Sequence, residues 1–305
     1  MANNKVIEDL LTVIDDADKS FIDGLPQIQK EAFTKVINIA KDLDVRSDGS
    51  IRTSVKNLKL ISRIKQEIDK VVFTKAYQKS LFDFMETFNK IEEVQNKYFA
   101  NVSSTFTQSQ LFKEVKKQSV DIVAEQLGKQ ALSANISSEV RSILTRNITS
   151  GAKFSDLVNQ MRIYLTDTEA SPGALTRYAK VYTIDSLTQY SAMYDQLATD
   201  DLGLEWYQYV GSLKKTSRDF CKELIHAKDS GMPFIHRSQF DELIDGNING
   251  KQIAISDKTD LPYGMIEGTN TTNLQINRGG WGCGHLLKPV SSALVPDGLR
   301  KKYEK

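Results

Sequence analysis

The chain has 305 residues, with 40 Lys and Arg against 39 Asp and Glu for a formal charge of +1, and 40% hydrophobic and 26% charged residues. That length corresponds to about two domains, and the charge balance excludes a histone-like or polybasic-anchor role, because no whole-chain cationic field exists to attract nucleic acid or anionic lipid. Two cysteines cannot form a disulfide scaffold of this size, and the composition is that of a folded protein.

The opening Met-Ala-Asn-Asn-Lys leads directly into an amphipathic pattern with Glu8, Asp15, Asp16 and Asp18, so no secretory signal is expected. Ile7, Leu10, Leu11 and Ile14 predict a helix stopping near Gly24, and Pro26 suits the first turn of the next. Ser47-Asp48-Gly49-Ser50 predicts a turn. Ile51, Val55, Leu58, Ile61, Ile64, Ile68 and Val72, then Tyr77, Leu81, Phe84, Phe88, Ile91, Val94 and Tyr98, recur every three or four residues and predict two long helices or one interrupted helix. Such stripes bury one helix face; a partner groove is the competing use. The lysines at 56, 59, 65, 70, 75 and 79 offer a nucleic-acid stripe, interrupted by Glu67, Asp69, Asp83 and Glu86 as a solvated face would be. Further helices are predicted over 111–132, 138–147, 155–165 with Ser155 as N-cap, and 175–197, followed by a break at Asp200-Asp201-Leu202-Gly203.

Beyond residue 200 the pattern changes. Both Trp, both Cys and all three His fall between Trp206 and His285, and five of the six prolines lie at or after Pro172. Trp206–Val210 alternates as a strand, with Trp206, Gln208 and Val210 on one face and Tyr207 and Tyr209 on the other. Thr216 is the expected N-cap of a short helix reaching His226, and a second short helix is expected over 238–244. Residues 261–278 read as a loop. His285–Val290 reads as a last strand that Pro289 forces to an edge or an end. No stretch approaches the length of apolar residues needed to cross a bilayer.

Cys221, His226, Cys283 and His285 are the candidate metal ligands, since two thiols and two imidazoles can supply four donors to tetrahedral zinc. Their C-x4-H and C-x-H spacings are not those of a zinc finger, and the second requires a sharp bend that Gly282 and Gly284 would permit. Buried or free thiols with satisfied imidazoles are the competing account. A catalytic version would use one Cys as thiolate, His226 or His285 as base and Asp219 as orienter. Gly279-Gly280-Trp281-Gly282-Cys283-Gly284 lacks the Lys-Ser/Thr of a phosphate cradle, so a turn packed around Trp281 is expected there.

Thr216-Ser-Arg-Asp-Phe-Cys221, Met265-Ile-Glu-Gly-Thr-Asn270, Gly279-Gly-Trp-Gly-Cys-Gly-His285 and Lys288-Pro-Val-Ser291, in this order and spacing, resemble the C-terminal domain of phage Mu F-like minor head proteins, also called phage head morphogenesis proteins. The resemblance covers roughly residues 175–292. It rests on Arg218, Asp219 and Cys221 in the first box and on Trp281, Cys283, His285, Pro289 and Val290 in the second, with Gly279 and Gly280 leading into it. Gly282 and Gly284 stand where Asn and Arg are common, so a cation expected there is missing. His226 falls where members often carry a ligand-like His or Cys.

The resemblance implies a low-copy structural protein of a tailed-phage head, present in the host cytoplasm during assembly and then in the virion at the portal vertex. Its partners would be the portal and other head proteins, with packaged DNA as a further candidate and no membrane. It would act in capsid assembly, genome packaging or ejection, without catalytic residues. An effector or toxin-like enzyme using the Cys/His cluster and a DNA-contacting packaging or ejection factor are the alternatives. The expected fold class is α+β: a helical region over 1–200 serving partner binding, an α+β domain over 201–295 and a basic tail over 296–305, with zinc as the one candidate cofactor.

Overall fold

The computed structural model describes residues 2–229 and 234–304. It is an α+β protein with long helices in its N-terminal part and a few antiparallel strands near its C-terminus. Two compact units form, one from Met1–Asp16, Thr87–Ser119 and Ile184–Lys305, the other from Ala17–Glu86 and Val120–Thr183. No helix among the described residues is long and apolar enough to cross a membrane.

The first helices are Ala2–Asp23 and Leu25–Ala40, the latter with proline in its first turn as expected. Ile51 departs from the expected helix: it pairs in a β-bridge with Val45 across the turn that Gly49 makes at φ +83. The helix starts only at Val55, where the Ser54 hydroxyl accepts the Asn57 N–H at 3.2 Å. It ends at Val72, and Thr74 caps a new helix, Lys75–Met85, followed by Thr87–Val102. The aromatic stripe from Tyr77 to Tyr98 is thus divided between two helices at Glu86. Gln110–Gln126, Lys129–Leu132, Ser138–Ser150 and Phe154–Leu165 follow, with a π-helical turn over Ser133–Ser137. Lys153 rather than Ser155 holds the N-cap position of the last of these.

In the unit containing residues 17–86 and 120–183, the helix Leu25–Ala40 packs on Val55–Val72 and on Phe154–Leu165, and Val55–Val72 packs on Ser138–Ser150. Ile28, Val36, Ile64, Ile68, Leu144 and Met161 are buried at these contacts. Each large apolar side chain so buried contributes about 1.5–3 kcal/mol relative to exposure. Asn57, fully buried, offsets its desolvation by accepting from Asp44 N at 2.8 Å and donating to Asp44 O at 2.9 Å and Arg52 O at 2.7 Å.

The unit containing the C-terminal third is built on β1 (Trp206–Val210), β2 (Ile235–His236) and β5 (Leu286–Val290), all antiparallel in the order β2-β1-β5. A separate ribbon pairs β3 (Asn247–Ile248) with β4 (Lys251–Gln252). β5 is an edge strand, as Pro289 requires. The alternation of β1 assigns its faces: Tyr207 and Tyr209 enter a core with Phe220, Cys221, Phe240, Leu274 and Leu287, while Trp206 packs with Val290 and Val295. The helix Ala174–Leu202 precedes this sheet and continues through Asp200 and Asp201, past the expected break; Gly203 at φ +62 ends it. Residues 261–278 are mostly turns, with a short helix at Leu274–Asn277. The basic tail forms the helix Asp297–Tyr303, beside which Trp206 Nε1 donates to Glu304 at 2.6 Å; Lys305 lies outside the described residues.

Candidate functional site

Cys221 sits in the first turn of the helix Asp219–Asp229, and the residue before that helix, Arg218, fixes where the turn points. Its guanidinium donates to Gly279 O at 2.8 Å and to Trp281 O at 2.5 Å, clamping the 279–284 loop to the helix start. The loop closes because of its glycines. Gly280 has φ +91, and a Cβ there would overlap the Gly264 carbonyl; Gly282 has φ +70 and donates its N–H to Asp185 at 2.6 Å. These two glycines make the bend expected of Gly282 and Gly284; Gly284 is not in the left-handed region. Gly279 faces the sulfurs directly, since a Cβ on it would stand 2.5 Å from Cys221 Sγ and 3.0 Å from Cys283 Sγ.

The result is a buried group of Cys221, Cys283 and His285, whose donor atoms lie within 4.8 Å of one another and could hold a metal ion. The two Sγ atoms are 3.7 Å apart, and Cys283 Sγ is 3.5 Å from His285 Nδ1. A tetrahedral ion with metal–sulfur bonds of about 2.3 Å and metal–nitrogen bonds of about 2.0–2.1 Å would span edges of about 3.8 Å between sulfurs and about 3.6 Å between sulfur and nitrogen. The Cys221–Cys283 and Cys283–His285 spacings match those edges, and all three donors lie within 4.8 Å of one another. Both cysteines are free thiols.

The electrostatics make the two thiols unequal. The Cys221 hydrogen bond holds the Cys283 thiol well below its ordinary range, with His285 and the Arg278 charge acting in the same direction against burial. The same bond, together with burial, pushes Cys221 up. Arg278 itself is buried at φ +46, donating to Thr188 O at 2.8 Å, Thr188 Oγ1 at 3.0 Å and Cys283 O at 3.4 Å. It supplies a fixed cation beside the cluster. Burial pushes the Asp185 carboxyl up, although the Gly282 N–H and Arg278 oppose it.

Tyr209 completes the surroundings, and nothing in the sequence singled it out beyond its place on a strand face. Its hydroxyl lies 3.3 Å from Cys221 Sγ and 3.5 Å from Cys283 Sγ, and its ring stacks on that of His285 at 5.3 Å. Gly211 was equally unmarked, yet a Cβ on it would stand 2.8 Å from His285 Cδ2. A glycine directly after the predicted strand Trp206–Val210 was the available signal.

The other candidate residues separate from this group. His226 is exposed near the end of the helix that carries Cys221 and is not among the three clustered donors. Asp219 is exposed and pairs with Lys222 at 3.0 Å, so it does not orient an imidazole of the cluster. His236 is buried elsewhere, with Nδ1 2.9 Å from Ser238 Oγ and its ring against Trp206. Trp281 is 57% exposed, contrary to the expected turn packed around it, because Arg218 and the glycine contacts hold the turn through the backbone. Pro289 accepts the Tyr98 hydroxyl on its carbonyl at 2.6 Å. Of the lysine stripe, Lys65, Lys70 and Lys79 pair with Asp69, Glu67 and Asp83 on their own helices, which cancels much of a cationic face.

Comparison with protein-family models, with curated proteins and with solved structures finds no match to this chain.

Proposed function

We propose that this chain is a minor structural head protein of a tailed bacteriophage, acting at the portal vertex in capsid assembly, genome packaging or ejection, with its Cys221, Cys283 and His285 site holding a structural zinc ion. One observation carries the reading: the two boxes on which the family resemblance rests, about 60 residues apart in the chain, interlock. Arg218 of the first box binds the Gly279 and Trp281 carbonyls of the second, and Cys221 meets Cys283. Residues used this way hold a helix to the loop that leads into β5, a role in folding that needs no substrate.

Two thiolates and an imidazole are a donor set that suits zinc. Bound there, the ion would cross-link the helix Asp219–Asp229 to the loop leading into β5. The test is the composition of purified particles, with this chain quantified by mass spectrometry against portal and major capsid protein. A copy number near or below that of the portal is the expected result. Absence from both procapsids and mature heads overturns the reading and favours a delivered effector.

A further inference from the structure

We propose that the metal at this site keeps its fourth coordination position open to a small exogenous anion, entering through the cavity that reaches the three donors. The inference rests on the zinc reading above and adds that the site is an exchangeable one.

The donors approach from the chain, and the interior side is already closed. Tyr209 Oη stands at hydrogen-bonding distance from both sulfurs, where an O–H donor to thiolate is satisfied without being a ligand. Gly279 fills the remaining interior space. On the other side, Cys221, Cys283 and His285 all line a cavity of about 60 Å³, walled by Ser212, Lys214, Ser217, Arg218 and Asp15. At about 30 Å³ per liquid water, that is room for two waters or one small anion. His285 Nδ1 is the ring nitrogen that faces Cys283 Sγ, at 3.5 Å, and so is the one available to the metal.

The walls set the charge of the ligand. Two thiolates neutralise a divalent ion, so a further anion is favoured only with cations nearby. Arg218 is fixed there by two carbonyls, and Lys214 Nζ stands 4.0 Å from where a Cβ on Gly284 would lie. Gly284 meets nothing else within 4 Å, so the entrance beside His285 is open. Asp15, 3.9 Å from Lys214 Nζ, partly offsets this charge and is the one carboxylate lining the cavity among the described residues.

The full-length protein is loaded with cobalt(II) and titrated with azide, with the visible absorption of the metal as readout. Binding of cobalt with thiolate charge-transfer bands, followed by a saturable azide-dependent shift of the ligand-field bands, is the expected result. Lys214→Ala should retain the cobalt spectrum and weaken azide binding on the order of fivefold. A cobalt spectrum that azide leaves unchanged overturns the open position while leaving the metal site standing. If Asp15→Asn then makes the spectrum azide-sensitive, Asp15 is the fourth ligand and the exogenous-anion proposal is again overturned. Failure to bind cobalt or zinc at all removes the zinc reading and this inference with it.

Discussion

Lys288 Nζ lies 2.5 Å from Asp195 Oδ1, with neither side chain more than 1% exposed. The same ammonium donates to Gln95 Oε1 at 2.6 Å and stands 4.4 Å from the centre of the Tyr98 ring. Burial raises the Asp195 carboxyl and lowers Lys288, so each depends on the other to stay charged. The ion pair ties β5 to the helix Ala174–Leu202, and Gln95 extends the link to Thr87–Val102. Removing one partner leaves a buried charge uncompensated, which costs about 3–5 kcal/mol. Lys288→Met is expected to lower the unfolding free energy from denaturant titration by that amount, whereas Lys288→Met combined with Asp195→Leu should recover most of it. A single variant as stable as the parent would show that no uncompensated charge is left behind and that the pair does not hold these elements together.

Gly279 is the backbone position that faces both sulfurs of the cluster. Gly279→Ala places a methyl 3.2 Å from Tyr209 Oη as well as against both sulfurs, and overpacking of this kind costs about 1–3 kcal/mol. Its signature should be a joint loss of bound metal and of stability, read by metal analysis and thermal unfolding on one preparation. Unaltered metal content would mean that the loop gives way without moving the donors.

Asp69 tests the helical unit independently. Burial raises its carboxyl, but the Ser137, Lys65 and Ser133 side chains together outweigh burial and hold it below the ordinary range. The π-helical turn brings Ser133 and Ser137 onto this one carboxylate, with Ser137 Oγ 2.5 Å away. A depressed folded value means that the contribution is present above the unfolded carboxylate value of about 3.9 and is lost as pH falls through the folded one. Asp69→Asn should therefore cost about 0.5–1.5 kcal/mol at neutral pH, with the difference from the parent shrinking in acid. A penalty that stays constant across that range would assign the effect to packing.

The helices were legible because their apolar stripes have one period and their caps are local: Ser54 and Thr74 accept from the N–H three residues on. β1 and the edge placement of β5 were legible for the same reason, through alternation and a single proline. Ile51 misled because a β-branched residue at the right spacing extends a stripe even when it serves a bridge. The cluster was legible as Cys221, Cys283 and His285, but His226 was not separable from them, since spacing alone does not say which face of a helix meets a loop 60 residues later. Lys288 and Arg278 were hidden more deeply. A buried cation looks like any surface cation in sequence, and its partners Asp195 and Thr188 lie about 90 residues away. Helix 87–102 joining the unit of the C-terminal strands likewise depends on contacts of this range.

The most direct measurement is the zinc content of the full-length protein, purified without chelator, alongside Cys283→Ser and each protein's thermal unfolding. One equivalent of zinc in the parent, its loss in Cys283→Ser, and a fall in melting temperature that chelation of the parent reproduces are the results expected of a metal-held structural clamp. A parent free of zinc, with melting unchanged by chelator and by Cys283→Ser, would contradict it.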